Sequence, residues 1–328
     1  MLVGGFEVPP KLSLRGDVEP FHAMDVLARA NALKSQGHEV LSLAVGQPGT
    51  KPPLGVRQAA ATAAMENVLG YTNALGRDDT RQAIADHYGE HYNLQIPASR
   101  IAVTNGSSAG FSLAFLALTE PSGRIAISSP GYPAYRNIIK SLSLEAVEIP
   151  STGNTDSAFD LDALITQHRQ KPIDVLMIAS PANPTGSIVS ESELKNIIEV
   201  CAQEGIAFIS DEIYHRLNYV APDVTAASLS DQAIVINSFS KFYCMTGWRV
   251  GWMVLPEQMV RPIERLAQSL YISAPELSQI ACIEAFKGTQ ELEDVRKVYR
   301  ANRKLLMEKL PKLDMPFASP PDGAFYAW

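Results

Sequence analysis

The chain has 328 residues, 46% apolar and 19% charged, which is typical of a globular protein with a large core. Its net charge of −7 argues against a broad nucleic-acid-binding surface. Cys201, Cys244 and Cys282 are too far apart for a CxxC site or a disulfide framework, which is typical of a reducing compartment. No apolar run approaches the roughly 18 residues of a membrane span and no signal-peptide pattern occurs, so we expect a cytoplasmic protein.

The predicted elements alternate between helices and strands. Residues 17–37 predict a helix, and seven later apolar runs predict buried strands. These runs are 100–106, 124–130, 144–150, 174–181, 205–212, 233–240 and 249–256. Helices are predicted between them at 107–118, 190–204 and 257–270, the second opening on Ser190 and Glu193 at capping-box spacing. This alternation predicts an α/β fold with a doubly wound, mostly parallel sheet.

The C-terminal part of the chain departs from this pattern. Residues 289–312 predict a long charged helix, and PFASPPDGAFYAW (316–328) predicts the beginning of a strand. A single unpaired strand is marginal on its own, so we expect this part to belong to a smaller, incomplete domain.

Polar residues follow five of the predicted strands. The segments are NGSSAG (105–110), PGYPAY (130–135), SPANPTG (180–186), DEIYH (211–215) and FSK (239–241). Ligands of open α/β sheets bind beyond the carboxyl ends of the strands. We therefore expect these side chains to meet in one site.

Three short motifs suggest other chemistries. GSSAG (106–110) matches the nucleophile elbow of serine hydrolases, but Asp211 and His215 lie on one turn, so we favour an anion-binding glycine turn. SFSK (238–241) matches S-x-x-K without the S-D-N and K-T-G motifs that should follow it. DEIYH holds possible metal ligands, but the six histidines are scattered, so we expect no metal.

Lys241 is the most informative single residue. It follows a predicted buried strand and precedes the apolar, glycine-rich MTGWRVGW (245–252). The alternative is a surface lysine, the commonest environment of this residue. In an apolar site, desolvation would lower the amine pKa toward the neutral nucleophile that imine chemistry needs.

The segments in their order resemble the pyridoxal-phosphate (PLP) enzymes of fold type I, specifically the class I/II aminotransferases of the aspartate aminotransferase superfamily. The matching segments are GQPG (46–49), YTNALGRDDTRQAIADHY (71–88), VTNGSSAGF (103–111), SPGYPAY (129–135), SPANPTG (180–186), SDEIY (210–214), SFSKFYCMTGWRVG (238–251) and PDGAFY (321–326). The resemblance spans nearly the whole chain, and the lysine segment together with NPTG and DEIY is its most specific part.

The resemblance implies roles for individual residues around the cofactor ring. Lys241 would form the imine with the cofactor aldehyde and carry the substrate Cα proton, and Asp211 would pair with the ring nitrogen. Asn183 and Tyr214 would hydrogen-bond the ring's phenolic oxygen, and Tyr132 would stack on the ring. Lys241, Asp211 and Tyr214 are the expected catalytic residues.

The resemblance also implies contacts for the phosphate, the substrate and a second subunit. The phosphate would be bound by Ser107, Ser108, Ala109, Ser238 and Arg249. Tyr71 would reach the phosphate of a neighbouring subunit, which implies a homodimer with shared active sites, although local packing of this loop aromatic is an equal alternative. Gly46 would lie near the substrate carboxylate, with a plain turn glycine as the alternative.

We therefore expect an aminotransferase that exchanges an amino group between an L-amino acid and a 2-oxo acid, without nucleic-acid or membrane partners. The alternatives are a PLP-dependent lyase, decarboxylase or racemase, and a non-enzymatic PLP-binding regulatory module. Ser108 stands where some aspartate-preferring relatives carry lysine, which disfavours an aspartate specialist; otherwise the sequence does not select the substrate.

The expected domain organisation follows the same resemblance. Residues 1–45 would form an N-terminal arm and part of a small α+β domain, 46–288 the large cofactor-binding domain, and 289–328 the truncated start of the C-terminal small domain. The family's arginine for the substrate α-carboxylate lies beyond GAFY and has no counterpart before Trp328. We therefore expect either a trimmed version of a longer protein or a truncated chain; a truncated chain would bind the cofactor but transaminate poorly.

Overall fold

The computed structural model describes residues 11–151 and 158–328, so the first ten residues of the predicted N-terminal arm lie outside the described part. The strands are β1 (Ile101–Thr104), β2 (Arg124–Ser129), β3 (Glu145–Pro150), β4 (Val175–Ala179), β5 (Ala207–Asp211), β6 (Ile234–Ser238) and β7 (Gly251–Val254). All seven strands lie within the runs predicted from the sequence.

The described helices cover most of the remaining chain. They are α1 (His22–Ser35), α2 (Leu54–Glu66), α3 (Asp78–Tyr92), α4 (Ser107–Leu118), α5 (Pro133–Ser141), α6 (Leu161–Gln170), α7 (Glu191–Glu204), α8 (Glu257–Leu270), α9 (Glu276–Lys287) and α10 (Thr289–Lys309). The predicted cap of α7 is present, because Ser190 Oγ accepts a hydrogen bond from the Glu193 N–H at 3.3 Å. Among the described residues, none of the helices is both long and apolar enough to cross a membrane.

The strands form one sheet in the order β1-β7-β6-β5-β4-β2-β3. Strand β7 is antiparallel to its neighbours β1 and β6, and the other pairs are parallel. Six strands therefore run in one direction, and their carboxyl ends lie along the same edge of the sheet. This arrangement confirms the predicted mostly parallel α/β sheet.

The sheet separates two apolar layers. Val235 faces the layer that contains Tyr88 and Trp252, and its neighbours Ile234 and Ile236 face the layer that contains Phe115. This alternation follows from the two-residue repeat of a strand. On the second face α4 packs against α5 and α8, so both sides of the sheet are covered and its carboxyl edge remains for a site.

The C-terminal segment differs from the prediction. Within residues 316–328, all of which the structure describes, there is no strand, and Gly323 forms only an isolated antiparallel bridge with Asn218. Prolines 316, 320 and 321 lack the N–H that a ladder requires, which explains the irregular course. The proposed domain boundaries stay a prediction; they are supported by the position of the sheet and helices α2 to α9 within residues 46–288.

Candidate active site

A cavity of about 400 Å³ lies at the carboxyl edge of the sheet. Nine residues predicted from the sequence line it: Gly46, Ser107, Ser108, Tyr132, Asn183, Asp211, Tyr214, Lys241 and Arg249. They come from loops and element ends spread over two hundred residues of the chain, and the parallel strands bring them to one edge. Predicted residues Ala109, Ser238 and Tyr71 are not part of this lining.

Lys241 lies on the turn that follows β6. Buried Phe239 and Met245 fix this turn, and the Met245 N–H donates to Phe239 O at 3.0 Å. Lys241 Nζ donates to Gly46 O at 2.8 Å. Burial lowers the pKa of Lys241 to about 8, with nearby Asp211 opposing this shift and Arg249 adding to it. The neutral fraction of this amine at pH 7 is therefore about one-tenth, against one in a few thousand for an ordinary lysine.

Asp211 lies at the end of β5 and is almost completely buried. Its carboxylate accepts hydrogen bonds from the Tyr135 hydroxyl and, at 3.1 Å, from the Ile213 N–H. Burial raises the pKa of Asp211 to about 6, and these two hydrogen bonds partly oppose the shift. A cation placed against this carboxylate would relieve the desolvation cost, as a protonated pyridine nitrogen does.

Two tyrosines of the site were not predicted. Tyr135 was missed as a partner of Asp211, although it follows Tyr132 by three residues at the start of α5 and so projects from a neighbouring position. Tyr326 was missed as a partner of Tyr214: their hydroxyls are 2.5 Å apart, and Asn183 Nδ2 donates to the Tyr326 hydroxyl at 3.2 Å. Both lie in quoted motifs, PGYPAY and PDGAFY, which were the available signals.

The opposite end of the cavity is formed by the N-terminus of α4 and by Arg249. Gly106 precedes α4 with φ of 75°, and a Cβ there would overlap the Arg249 guanidinium. Glycine therefore allows the arginine to lie directly against the helix start. The N–H groups of Ser107, Ser108 and Ala109 belong to the first turn of α4, where helical N–H groups lack partners within the helix. Together these groups present N–H donors and a positive charge, which is the arrangement that anions favour in proteins.

Ser238 and Tyr132 have different positions. Ser238 is buried, with its Oγ 3.1 Å from Val250 O and 2.9 Å from Ser240 Oγ, and Ser240 lines the cavity instead. The structure thus does not bring the Ser238 hydroxyl to the cavity surface. Tyr132 does line the cavity, and its ring lies edge-on to the Tyr135 ring with centroids 5.3 Å apart.

Tyr71 lies away from the cavity of its own chain. Its side chain is 83% exposed, in a loop whose neighbouring Gly70 N–H donates to Glu276 at 2.7 Å. The contact with a neighbouring subunit stays a prediction.

The residues fit pyridoxal phosphate at both ends of the cavity. The glycine-backed helix start and Arg249 suit a phosphate, and the buried carboxylate of Asp211 suits a protonated ring nitrogen. A lysine amine with a lowered pKa lies in the same cavity. In the described residues, no three His, Cys, Asp or Glu side chains are grouped to hold a metal ion.

Comparisons with known proteins agree with this fit. Residues 38–328 match the family model of the class I and II aminotransferases. The chain is 41% identical to a valine–pyruvate aminotransferase of Mycobacterium tuberculosis, over 97% of this chain and 82% of that protein. A crystal structure of an aminotransferase from Mycobacterium tuberculosis has a TM-score of 0.90 at 40% identity, covering 96% of this chain and 82% of that one. An alanine aminotransferase from Pyrococcus furiosus has a TM-score of 0.85 at 27% identity, with coverages of 96% and 82%.

The fold is that of an α/β enzyme of PLP fold type I. The chain belongs to the class I and II aminotransferases. Like these relatives it depends on pyridoxal phosphate, and it transfers an amino group between an amino acid and a 2-oxo acid. Amino-group transfer is thus favoured over the lyase, decarboxylase, racemase and regulatory alternatives.

Proposed function

We propose that Lys241 binds the cofactor covalently and that Asp211 pairs with its ring nitrogen. The observation that supports this proposal is that a partly buried amine and a buried carboxylate line one cavity, together with a helix N-terminus and an arginine that suit an anion. When bound, pyridoxal phosphate supplies a ring that accepts the electron pair released when the substrate Cα–H bond breaks. The side chains bind and orient the reactants and move the proton.

Lys241 is the proposed base. Once the substrate amino group has displaced it from the cofactor, the free Nζ would accept the proton from the substrate Cα and later return a proton, and a pKa of about 8 suits both roles near neutral pH. Asp211 keeps the ring nitrogen protonated, and the Tyr135 hydroxyl holds its carboxylate in place. Asn183 and Tyr214 would hydrogen-bond the phenolic oxygen of the ring, and Tyr132 would lie against the ring face.

The phosphate is proposed to bind where α4 begins. The N–H groups of Ser107, Ser108 and Ala109 donate to it, and Arg249 adds a charge-assisted contact. The predicted Ser238 contact requires that hydroxyl to turn away from Val250 O. In this arrangement Ser240 is the serine nearer to the cavity surface.

We propose an apolar amino acid such as valine as the amino donor and pyruvate as an acceptor. The valine–pyruvate relative supports this proposal, as does the apolar wall of Phe21, Met24, Leu27 and Val45. Among the described lining residues the cations are Lys241 and Arg249, and both serve the cofactor. An acidic substrate side chain would have no cation to pair with there. Gly46 borders the space for the substrate carboxylate.

The proposed assembly is a homodimer in the cytoplasm. The phosphate end of the cavity continues into an open groove lined by Gln47, Trp248 and Arg249, where Tyr71 of a second subunit could reach the anion. Exposed Met65, Val68 and Tyr71 give this chain an apolar surface suited to such a contact. The three cysteines are buried free thiols, which suits a reducing compartment.

The test is an absorbance spectrum of the purified protein followed by half-reactions. We expect a visible band that L-valine bleaches and pyruvate restores, and L-aspartate should react at least about tenfold more slowly because its charge is unpaired. A faster reaction with L-aspartate would refute the substrate proposal. Absence of any cofactor band would refute the proposed site.

A further inference from the structure

We propose that Tyr326 is a positioning residue that fixes the direction in which Tyr214 donates its hydroxyl proton. The inference rests on the proposed function, in which Tyr214 and Asn183 face the phenolic oxygen of the cofactor. The Tyr326 hydroxyl contacts both of them, at 2.5 Å from the Tyr214 hydroxyl and 3.2 Å from Asn183 Nδ2. No role was predicted for Tyr326 from the sequence.

The position of Tyr326 is fixed by the backbone around it. The Gly323 N–H donates to Gly186 O at 2.8 Å, and the Tyr219 N–H donates to Asp322 O at 2.9 Å. The Tyr219 hydroxyl donates to Ala324 O at 2.7 Å. These bonds hold the 322–326 segment against the loops that carry Asn183 and Tyr214.

The close approach to Gly46 restricts the tyrosine further. A Cβ at position 46 would overlap the Tyr326 hydroxyl and ring. Glycine at this position thus lets the phenol reach between the substrate side of the cavity and Tyr214. Tyr326 lines the cavity together with Lys241 and Asp211.

Counting donors gives the direction of the hydrogen bonds. An amide Nδ2 can only donate, so the Tyr326 oxygen accepts from Asn183. Either phenol can donate to the other in the chain alone. The anionic phenolic oxygen of the bound cofactor carries no proton, so under the proposed function the Tyr214 proton would go to that anion and the single Tyr326 proton would go to the Tyr214 oxygen. Burial raises the pKa of Tyr326 to about 12 and that of Tyr214 well above its usual value, so both phenols remain donors at neutral pH.

This chain of hydrogen bonds makes Tyr214 a stronger donor. Each bond in such a series polarises the next one. A stronger donor stabilises the anionic phenolic oxygen, and this lowers the pH at which the visible absorbance of the bound cofactor changes. Removing the Tyr326 hydroxyl should therefore move the midpoint of this absorbance change to higher pH.

The test is a spectral pH titration of the cofactor-loaded protein, which does not depend on turnover. For Tyr326→Phe we expect the midpoint to rise by about 0.5 pH unit, the size of one modest hydrogen bond. Tyr214→Phe should raise it more. In the Tyr214→Phe background, Tyr326→Phe should add nothing, because its effect passes through the Tyr214 hydroxyl.

Tyr219→Phe is the matched control. It removes a phenol hydroxyl that anchors the same segment at Ala324 O but does not touch Tyr214. We expect it to leave the midpoint unchanged. The inference is overturned if Tyr326→Phe titrates like the wild type, if Tyr219→Phe shifts the midpoint equally, or if the two shifts add. A wild-type protein without any visible band overturns the proposed function, and this inference with it.

Discussion

The two ends of the active-site cavity differ in their exposure to water. Asp211 at the inner end is buried and Lys241 is partly buried. Burial raises the pKa of Asp211 and lowers that of Lys241, so it favours the neutral form of each. Arg249 at the outer end is exposed, beside the open N-terminus of α4. The inner end is thus suited to chemistry that needs altered acidity, and the outer end to binding an anion by charge. Substitutions at the inner end should change reactivity, and those at the outer end should change cofactor affinity.

The largest effect is expected for Lys241→Ala. This variant loses the amine that holds the cofactor and moves the Cα proton, so the visible band and nearly all turnover should disappear. The spectrum and single-turnover kinetics with L-valine measure both. A retained band with the same absorbance would contradict the assignment.

Asp211→Asn should separate catalysis from stability. We expect the cofactor to stay bound and the rate to fall on the order of 10²- to 10³-fold, since a pre-organised charge next to the ring nitrogen is lost. Activity close to that of the wild type would show that the partner of the ring nitrogen is misassigned.

Asp211→Asn should lower activity but raise the stability of the cofactor-free protein. The folded-state pKa of Asp211, about 6, lies above its unfolded value, so the folded state binds more protons between these pKa values and stability falls as pH rises through that window. Above pH 6 the buried carboxyl group is ionised, and its ionisation lowers the free energy of unfolding by an amount on the order of 3 kcal/mol. Asp211→Asn removes the charge, so its cofactor-free form should resist urea better than the wild type at pH 7. Equal urea midpoints for the variant and the wild type at pH 7 would contradict the proposed cost of ionising Asp211.

The sequence predicted the sheet well because most of its strands are short, largely buried apolar runs; the edge strand β3 is the exception, since only Val147 and Ile149 are buried in it. Prediction from the sequence missed contacts between residues that are distant in the chain. Tyr135 and Asp211 are 76 positions apart, and Tyr214 and Tyr326 are 112 apart. Local patterns do not determine which side chain packs on a buried carboxylate or phenol. The strand predicted in PFASPPDGAFYAW failed for a related reason, because its backbone bonds go to turns near Gly186 and Tyr219 instead of a neighbouring strand.

Arg249→Gln should weaken the binding of the cofactor phosphate at the outer end of the cavity. Losing a charge-assisted contact to phosphate costs about 1.5–3 kcal/mol, so cofactor affinity should fall about 10- to 100-fold. The absorbance maximum and its pH dependence should change much less, because the inner end is intact. Arg265→Gln, at an exposed position of α8, is the control and should bind normally. Equal affinities of the two variants would refute the anion site.

The smallest effect is expected for Tyr71→Phe. If Tyr71 donates to the phosphate bound by a second subunit, one neutral hydrogen bond is lost, and affinity should fall about fivefold in the dimer. Equilibrium dialysis at protein concentrations above and below subunit dissociation measures this. Tyr271→Phe is the control, because this tyrosine packs against the apolar layer that contains Phe115 instead of lying exposed. An effect that persists in the dissociated subunit would contradict a contact between subunits.

The covalent link itself is tested most directly by borohydride reduction of the cofactor-loaded protein, followed by peptide mass mapping. The account predicts a single phosphopyridoxyl group on Nζ of Lys241. A label on another lysine, or none on the peptide that contains residue 241, would contradict it.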